Sequence, residues 1–115
     1  MTTDTTALVI PRAEYESRLT ALRKSGAGTG LPKKQKDRWI LLHALSRGLA
    51  IGEPCSERAV NDHVRAWLSG PGARIELDHV SLRRALVDEG FLERDGAGAS
   101  YRASRRHERR VRFAG

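Results

Sequence analysis

The sequence predicts a mainly α fold with a small β-hairpin, winged helix-turn-helix-like in its order, and three observations predict it. Residues 78–95 read as a short capped helix, a glycine stop, a strand and then a glycine-rich turn, and Ser100-Tyr101-Arg102 resumes an extended pattern. Two amphipathic helical runs precede this segment, over about 33–47 and 57–69, with a short extended piece between them. Pro32, Gly48, Gly70-Pro71-Gly72 and Gly90 fall at the joints between the helical runs, where chain breakers belong.

Residues 1–7 are expected to be disordered. Pro11 suits the first turn of a helix reaching Lys24, on which Tyr15, Leu19 and Leu22 fall at i, i+4 and i+7. Ser25-Gly26-Ala27-Gly28-Thr29-Gly30 has the composition of a flexible linker. In the helix over 33–47, Leu41, Leu42, Leu45 and Leu49 make the apolar face, flanked by Trp39 and Ile40. Residues 51–55 are short and extended, in the place of a small first strand. Ser56 is expected to cap the next helix, whose Val60, Val64, Trp67 and Leu68 form an amphipathic stripe. The connection over 69–77 is longer than the three- or four-residue turn of a strict helix-turn-helix, so a looser winged arrangement is expected.

The helix over 78–89 is the most strongly marked. The Asp78 carboxylate can accept from the free N–H groups of the first turn and faces the positive end of the helix dipole. Leu82, Ala85 and Leu86 share one face. Gly90 stands where a left-handed residue ends a helix, and Phe91 follows where an apolar residue can pack back on Leu86. After Tyr101 the sequence shows no apolar face. The expected organisation is an N-terminal arm over 1–30, partly helical with its glycine-rich linker, a winged-helix-like domain over 31–103, and a basic C-terminal tail over 104–115.

The formal charge of +7 favours an anionic partner. It is unevenly placed: residues 101–115 hold six arginines and one glutamate, a net of +5. About 70–75 residues build the core, which is thin for an independent fold and makes a homodimer or another protein partner an expectation. The single cysteine, Cys55, excludes an intrachain disulfide and suits a reducing cytosol. No apolar run is long enough to span a membrane, and the N-terminus lacks the pattern of a secretory signal, so a cytoplasmic protein without a membrane partner is expected.

No P-loop, dinucleotide fingerprint or nucleophile elbow is present, so binding rather than catalysis is expected, with no cofactor. Cys55, His63, His79 and His107 lack the paired spacings of structural zinc sites. His63 reads as a helix-surface or core-edge residue and His79 as a first-turn residue.

Leu31-Pro32-Lys33-Lys34-Gln35-Lys36-Asp37-Arg38, Ser56-Glu57-Arg58-Ala59-Val60-Asn61, the run from Asp78 to Arg94, and Tyr101-Arg102 resemble, in order and spacing, the bacterial domain-of-unknown-function family 2087. The resemblance covers about two thirds of the chain. It implies a small winged-helix-like domain of the kind found alone or joined to transcriptional-regulator modules. The Gly-Pro-Gly connection before Asp78 is longer here than in the family pattern.

Fold order and charge together predict nucleic-acid binding, with DNA as partner and transcription regulation as role. The candidate contacts are Lys33, Lys34 and Lys36 at the start of one helix, Arg83 and Arg84 on the helix over 78–89, Arg94 and Arg102 on the wing, and Arg105, Arg106, Arg109 and Arg110 beyond it. Arginine can clamp phosphate or read guanine bidentately. The helical wheel adds a reservation. Ser81, Arg84 and Asp88 form the exposed face, and Arg84 can pair with Asp88 at i, i+4. Arg83 lies beside the apolar arc, where a structural arginine covers the core and pairs with a carboxylate. With Asp78, Asp88 and Glu89 the helix is net acidic, which favours the rival reading, a winged-helix protein-interaction module without sequence-specific DNA binding.

Overall fold

The computed structural model describes residues 7–25, 31–49, 53–73, 75–96 and 100–114. Residues 1–6, 26–30 of the glycine-rich linker, 50–52, 74, the loop tip at 97–99 and 115 lie outside them. Among the described residues the elements run β1 (Leu8–Ile10), α1 (Arg12–Ser25), α2 (Gln35–Ser46), β2 (Cys55–Ser56), α3 (Glu57–Ser69), α4 (His79–Asp88), β3 (Leu92–Arg94), β4 (Ser100–Ala103), a short 3-10 segment (Arg106–Arg109) and β5 (Val111–Phe113). The fold is mainly α with a small antiparallel sheet, ordered β2-β4-β3.

Helix α2 is the axis of the molecule. Trp39, Ile40, Leu41, Leu42 and Leu45 are all buried, so the helix is covered on nearly every side, as a central helix must be. Ile40, Leu42 and Leu45 face the main core with Val60 and Val64 of α3, Leu82 and Leu86 of α4, and Phe91. Leu41 turns the other way and meets Leu22 of α1 and Ile75. That second cluster explains the long connection between α3 and α4: its Ile75 seals the far side of α2. Gly72 turns the chain there with its N–H on the Trp67 carbonyl, and a Cβ at this position would fall inside the Trp67 ring.

The N-terminal helix packs within its own chain. Tyr15 and Leu22 are buried, and Arg18 grips the buried Asp37 of α2 through two hydrogen bonds, at 3.1 and 2.9 Å. Tyr15 and Leu22 of the stripe are thereby covered within the chain, by α2, Phe113 and Ile75.

The larger departure lies at the other end. The segment after Tyr101, in which the sequence showed no apolar face, is folded over at least 100–114. β5 pairs in parallel with β1, with Val111 opposite Leu8 and Phe113 opposite Ile10. Val111 and Ile10 have no exposed surface, and Ala103, Ser104 and His107 are buried too. The buried positions are scattered irregularly among arginines, and a strand of three residues is too short for alternation to be read against that background.

The predicted caps are present. Ser56 Oγ accepts from the Ala59 N–H at 3.0 Å. At the end of α4, Gly90 has φ of +89° and its N–H bonds the Val87 carbonyl, while the Phe91 N–H bonds that of Leu86. This paired closure needs a left-handed residue. Gly90 also carries the 3-10 segment, since the His107 N–H donates to its carbonyl at 3.0 Å. A Cβ on residue 90 would stand 2.8 Å from that His107 nitrogen. Gly90→Ala is therefore expected to destabilise the protein by about 1–2 kcal/mol, read as a lower urea midpoint. A wild-type midpoint would mean that the 3-10 segment is not seated on this turn.

Candidate nucleic-acid interface

Helix α4 and the β3–β4 hairpin present the site. Asp78 starts the helix: its Oδ1 accepts from the Ser81 N–H at 2.7 Å, and the Ser81 hydroxyl donates to Oδ2 at 3.2 Å. The bond from the Ser81 N–H is the main cause that holds the Asp78 carboxyl below its ordinary range. Leu82, Ala85 and Leu86 are buried and fix the rotation of the helix, which leaves Ser81, Arg84 and Asp88 exposed. Arg84 forms no ion pair with Asp88 or with any other described residue.

In the hairpin, Arg94 lies opposite Tyr101 and Glu93 opposite Arg102. Cross-strand partners share a face, and successive residues alternate. Arg94 therefore stands on the side of Tyr101, toward α4, and Arg102 on the outer side with Glu93. Between hairpin and helix opens a cleft of about 400 Å³, lined by Arg83, Arg84, Val87, Asp88, Arg94 and Tyr101.

Arg83 is not a free cation in this cleft. Its side chain is 13% exposed and 3.8 Å from Glu57. Nη1 donates to Asn61 Oδ1 at 2.6 Å, and the guanidinium lies over the Tyr101 ring, 5.7 Å from its centroid. The Tyr101 hydroxyl in turn donates to Glu57 Oε1 at 3.3 Å. Arg83 thus ties α4 to α3 and β4 and forms the inner wall. The structural alternative raised by the helical wheel describes it, and Asn61, which the sequence gave no reason to single out, is its closest partner.

The remaining candidates are spread over separate surfaces. Lys36 pairs with Glu14 of α1 at 2.9 Å, while Lys33 and Lys34 are exposed at the entry to α2. Arg105 pairs with Glu108 at 2.8 Å. Arg110 is held at the end of α4, where Nη2 donates to the Glu89 carbonyl at 2.8 Å and the guanidinium lies over Trp39. Arg106 and Arg109 are exposed on the 3-10 segment and form no ion pair among the described residues. The structure brings together Arg84 and Arg94, with Arg83 behind them, and it takes Lys36, Arg105 and Arg110 into intramolecular pairs.

The histidines considered as zinc ligands have other partners. His63 Nε2 is 2.7 Å from the Leu45 carbonyl, which joins α3 to α2, and His79 is 3.3 Å from an Arg65 nitrogen. Among the described residues no three His, Cys, Asp or Glu side chains gather where they could hold a metal ion. Among the described residues no helix is long and apolar enough to cross a membrane.

A second constellation escaped the sequence reading. His43 of α2 is bonded through Nδ1 to the Tyr15 hydroxyl at 2.8 Å and stacks on Phe113, with centroids 4.0 Å apart. Burial, with His107 and Arg47 nearby, pushes its pKa down to about 4. The available signal was a titratable residue inside the run Ile40-Leu41-Leu42-His43-Ala44-Leu45, on a helix otherwise covered by apolar packing.

A family model described as an uncharacterized protein conserved in bacteria, DUF2087, matches residues 29–103, well over half of the chain. No curated protein and no solved structure matches it.

Proposed function

The chain belongs to DUF2087, and on that premise we propose that it is a cytoplasmic DNA-binding protein, a transcriptional regulator, that uses α4 and the β3–β4 hairpin as a recognition helix and wing. The observation that carries this reading is the cleft in which Arg84 and Arg94 converge from the two elements, exposed and without a carboxylate partner among the described residues. Two guanidinium groups spaced by a helix and a hairpin can take adjacent phosphates, or one phosphate and one base edge. Lys33, Lys34, Arg102, Arg106 and Arg109 add long-range attraction without reading sequence.

The test is fluorescence anisotropy of the full chain on random and selected duplexes at two salt concentrations. Arg84→Ala and Arg94→Ala are each expected to weaken binding by about tenfold, the effect of one lost charged contact. A contact to phosphate lowers the salt slope by about 1, whereas a contact to a base edge narrows the preference between duplexes. Deleting the basic end is not a usable control, because Val111 is core. Arg106→Gln with Arg109→Gln removes charge and leaves the fold. Wild-type binding by both cleft variants, or no binding at low salt, overturns the proposal.

A second reading, a winged-helix protein-interaction module, rests on Asp88. It stands beside Arg84 on the exposed face of α4 and makes that face nearly neutral. The absence of nucleic-acid binding at low salt favours this reading.

A further inference from the structure

Three adjoining concavities surround His43, and it is the one residue that lines all three. The largest, about 340 Å³, lies between α1, α2 and β5 and is walled by Arg12, Tyr15, Glu16, Arg47 and Phe113. Its size is that of a small-molecule site. Its one carboxylate, Glu16, is paired with Arg12 at 3.2 Å. The Arg47 guanidinium lies beside the Tyr15 hydroxyl, and arginine can only donate. The hydroxyl oxygen therefore faces a donor, so the Tyr15 hydrogen is directed to His43 Nδ1, 2.8 Å away.

At neutral pH His43, whose pKa burial pushes down to about 4, carries no charge. With Nδ1 accepting, its hydrogen is on Nε2. Nε2 has no acceptor among the described residues, and no buried side-chain polar atom there lacks a partner, so this N–H reaches open space. Arg12 is neutralised by Glu16, and Arg105 by Glu108. Arg47 is left beside His43 without an ion pair among the described residues, while Arg112 lies near Glu108. The ring of Phe113, half-buried, forms the apolar wall.

We propose that this cleft is a binding site for a small organic carboxylate with a flat apolar body. The carboxylate is an acceptor with no hydrogen to donate, which complements the Arg47 N–H groups once the one carboxylate of the lining, Glu16, is taken up by Arg12. The flat body lies against Phe113. The site joins α2, inside the family match, to α1 and β5 outside it, so ligand would bind the chain ends to the central helix. It is separate from the cleft at α4, and neither proposal depends on the other.

Benzoate, acetate and inorganic phosphate serve as probes of the full-length protein, followed by histidine-ring 15N and aromatic 13C NMR. Benzoate is expected to move the His43 Nε2 and Phe113 ring signals saturably, with acetate at least about tenfold weaker because it lacks the flat body. Arg47→Ala, an exposed position that should leave the fold intact, is expected to weaken benzoate about tenfold. Phe113→Leu keeps the apolar volume but should erase the preference over acetate. Equal affinity for phosphate, acetate and benzoate would show attraction to charge alone and overturn the proposal. No saturable shift, or the same shift in Arg47→Ala, would also overturn it.

Discussion

Val111→Asp is expected to leave the chain largely unfolded at neutral pH. Val111 has no exposed surface and lies in β5, paired with Leu8 of β1 across the main core. Losing the burial of a valine costs about 1.5–3 kcal/mol, and a carboxylate placed there has no partner. The total, above ~3 kcal/mol, is a large share of the 5–15 kcal/mol typical of a folded domain. Urea unfolding followed by fluorescence of the buried Trp39 measures it. Arg112→Gln, one residue on and exposed, is the control and should stay within about 0.5 kcal/mol of wild type. If residues 104–115 were a loose basic tail, both variants would unfold at the wild-type midpoint, so the pair tests the folded C-terminal segment directly.

Acid is expected to weaken the fold before its carboxylates titrate. His43 has a pKa of about 4 in the folded protein against 6.5 for the free side chain, and burial is the first cause. Burial lowers His107 as well. Between those two pH values the unfolded chain binds protons that the folded chain refuses, so lowering the pH favours unfolding. The stabilisation is complete above about pH 6.5 and is lost progressively as the pH falls toward 4. Allowing for solvent screening at a half-buried ring, His43 contributes about 1–2 kcal/mol. Urea midpoints measured at pH 7.0, 5.5 and 4.5 should fall in that order. His43→Gln keeps an acceptor for Tyr15 and should flatten most of the slope. A slope unchanged in that variant would place the acid sensitivity elsewhere.

The legible parts of this protein are those where one residue type answers a local demand. Asp78 and Ser56 cap helices because the first turn leaves N–H groups without partners. Gly90 ends α4 because only a residue without a side chain fits φ of +89° so close to His107. The buried triplet Leu82, Ala85 and Leu86 set the rotation of α4, and with it the exposure of Ser81, Arg84 and Asp88. Arg83 was half legible. Its place beside the apolar arc suggested a structural role, but its partners lie about 20 residues away in sequence.

The basic groups were visible as a number and not as an arrangement. A count of charges does not say that Lys36 meets Glu14, that Arg105 meets Glu108, or that Arg110 closes the end of α4 over Trp39. The N-terminal helix was legible as amphipathic, but amphipathicity names no partner, and α2 of the same chain answered it.

By itself the sequence determined the four helices, the caps of α3 and α4, the hairpin and the family pattern, because these follow from periodicity and backbone hydrogen bonding over a few residues. Only the tertiary structure decided that the basic end is core, that Arg84 and Arg94 share a cleft while Arg102 faces away, and that His43 sits among Tyr15, Arg47 and Phe113. Each of those depends on contacts between segments far apart in the chain. Their energy comes from burial and pairing across the fold, which no local pattern encodes.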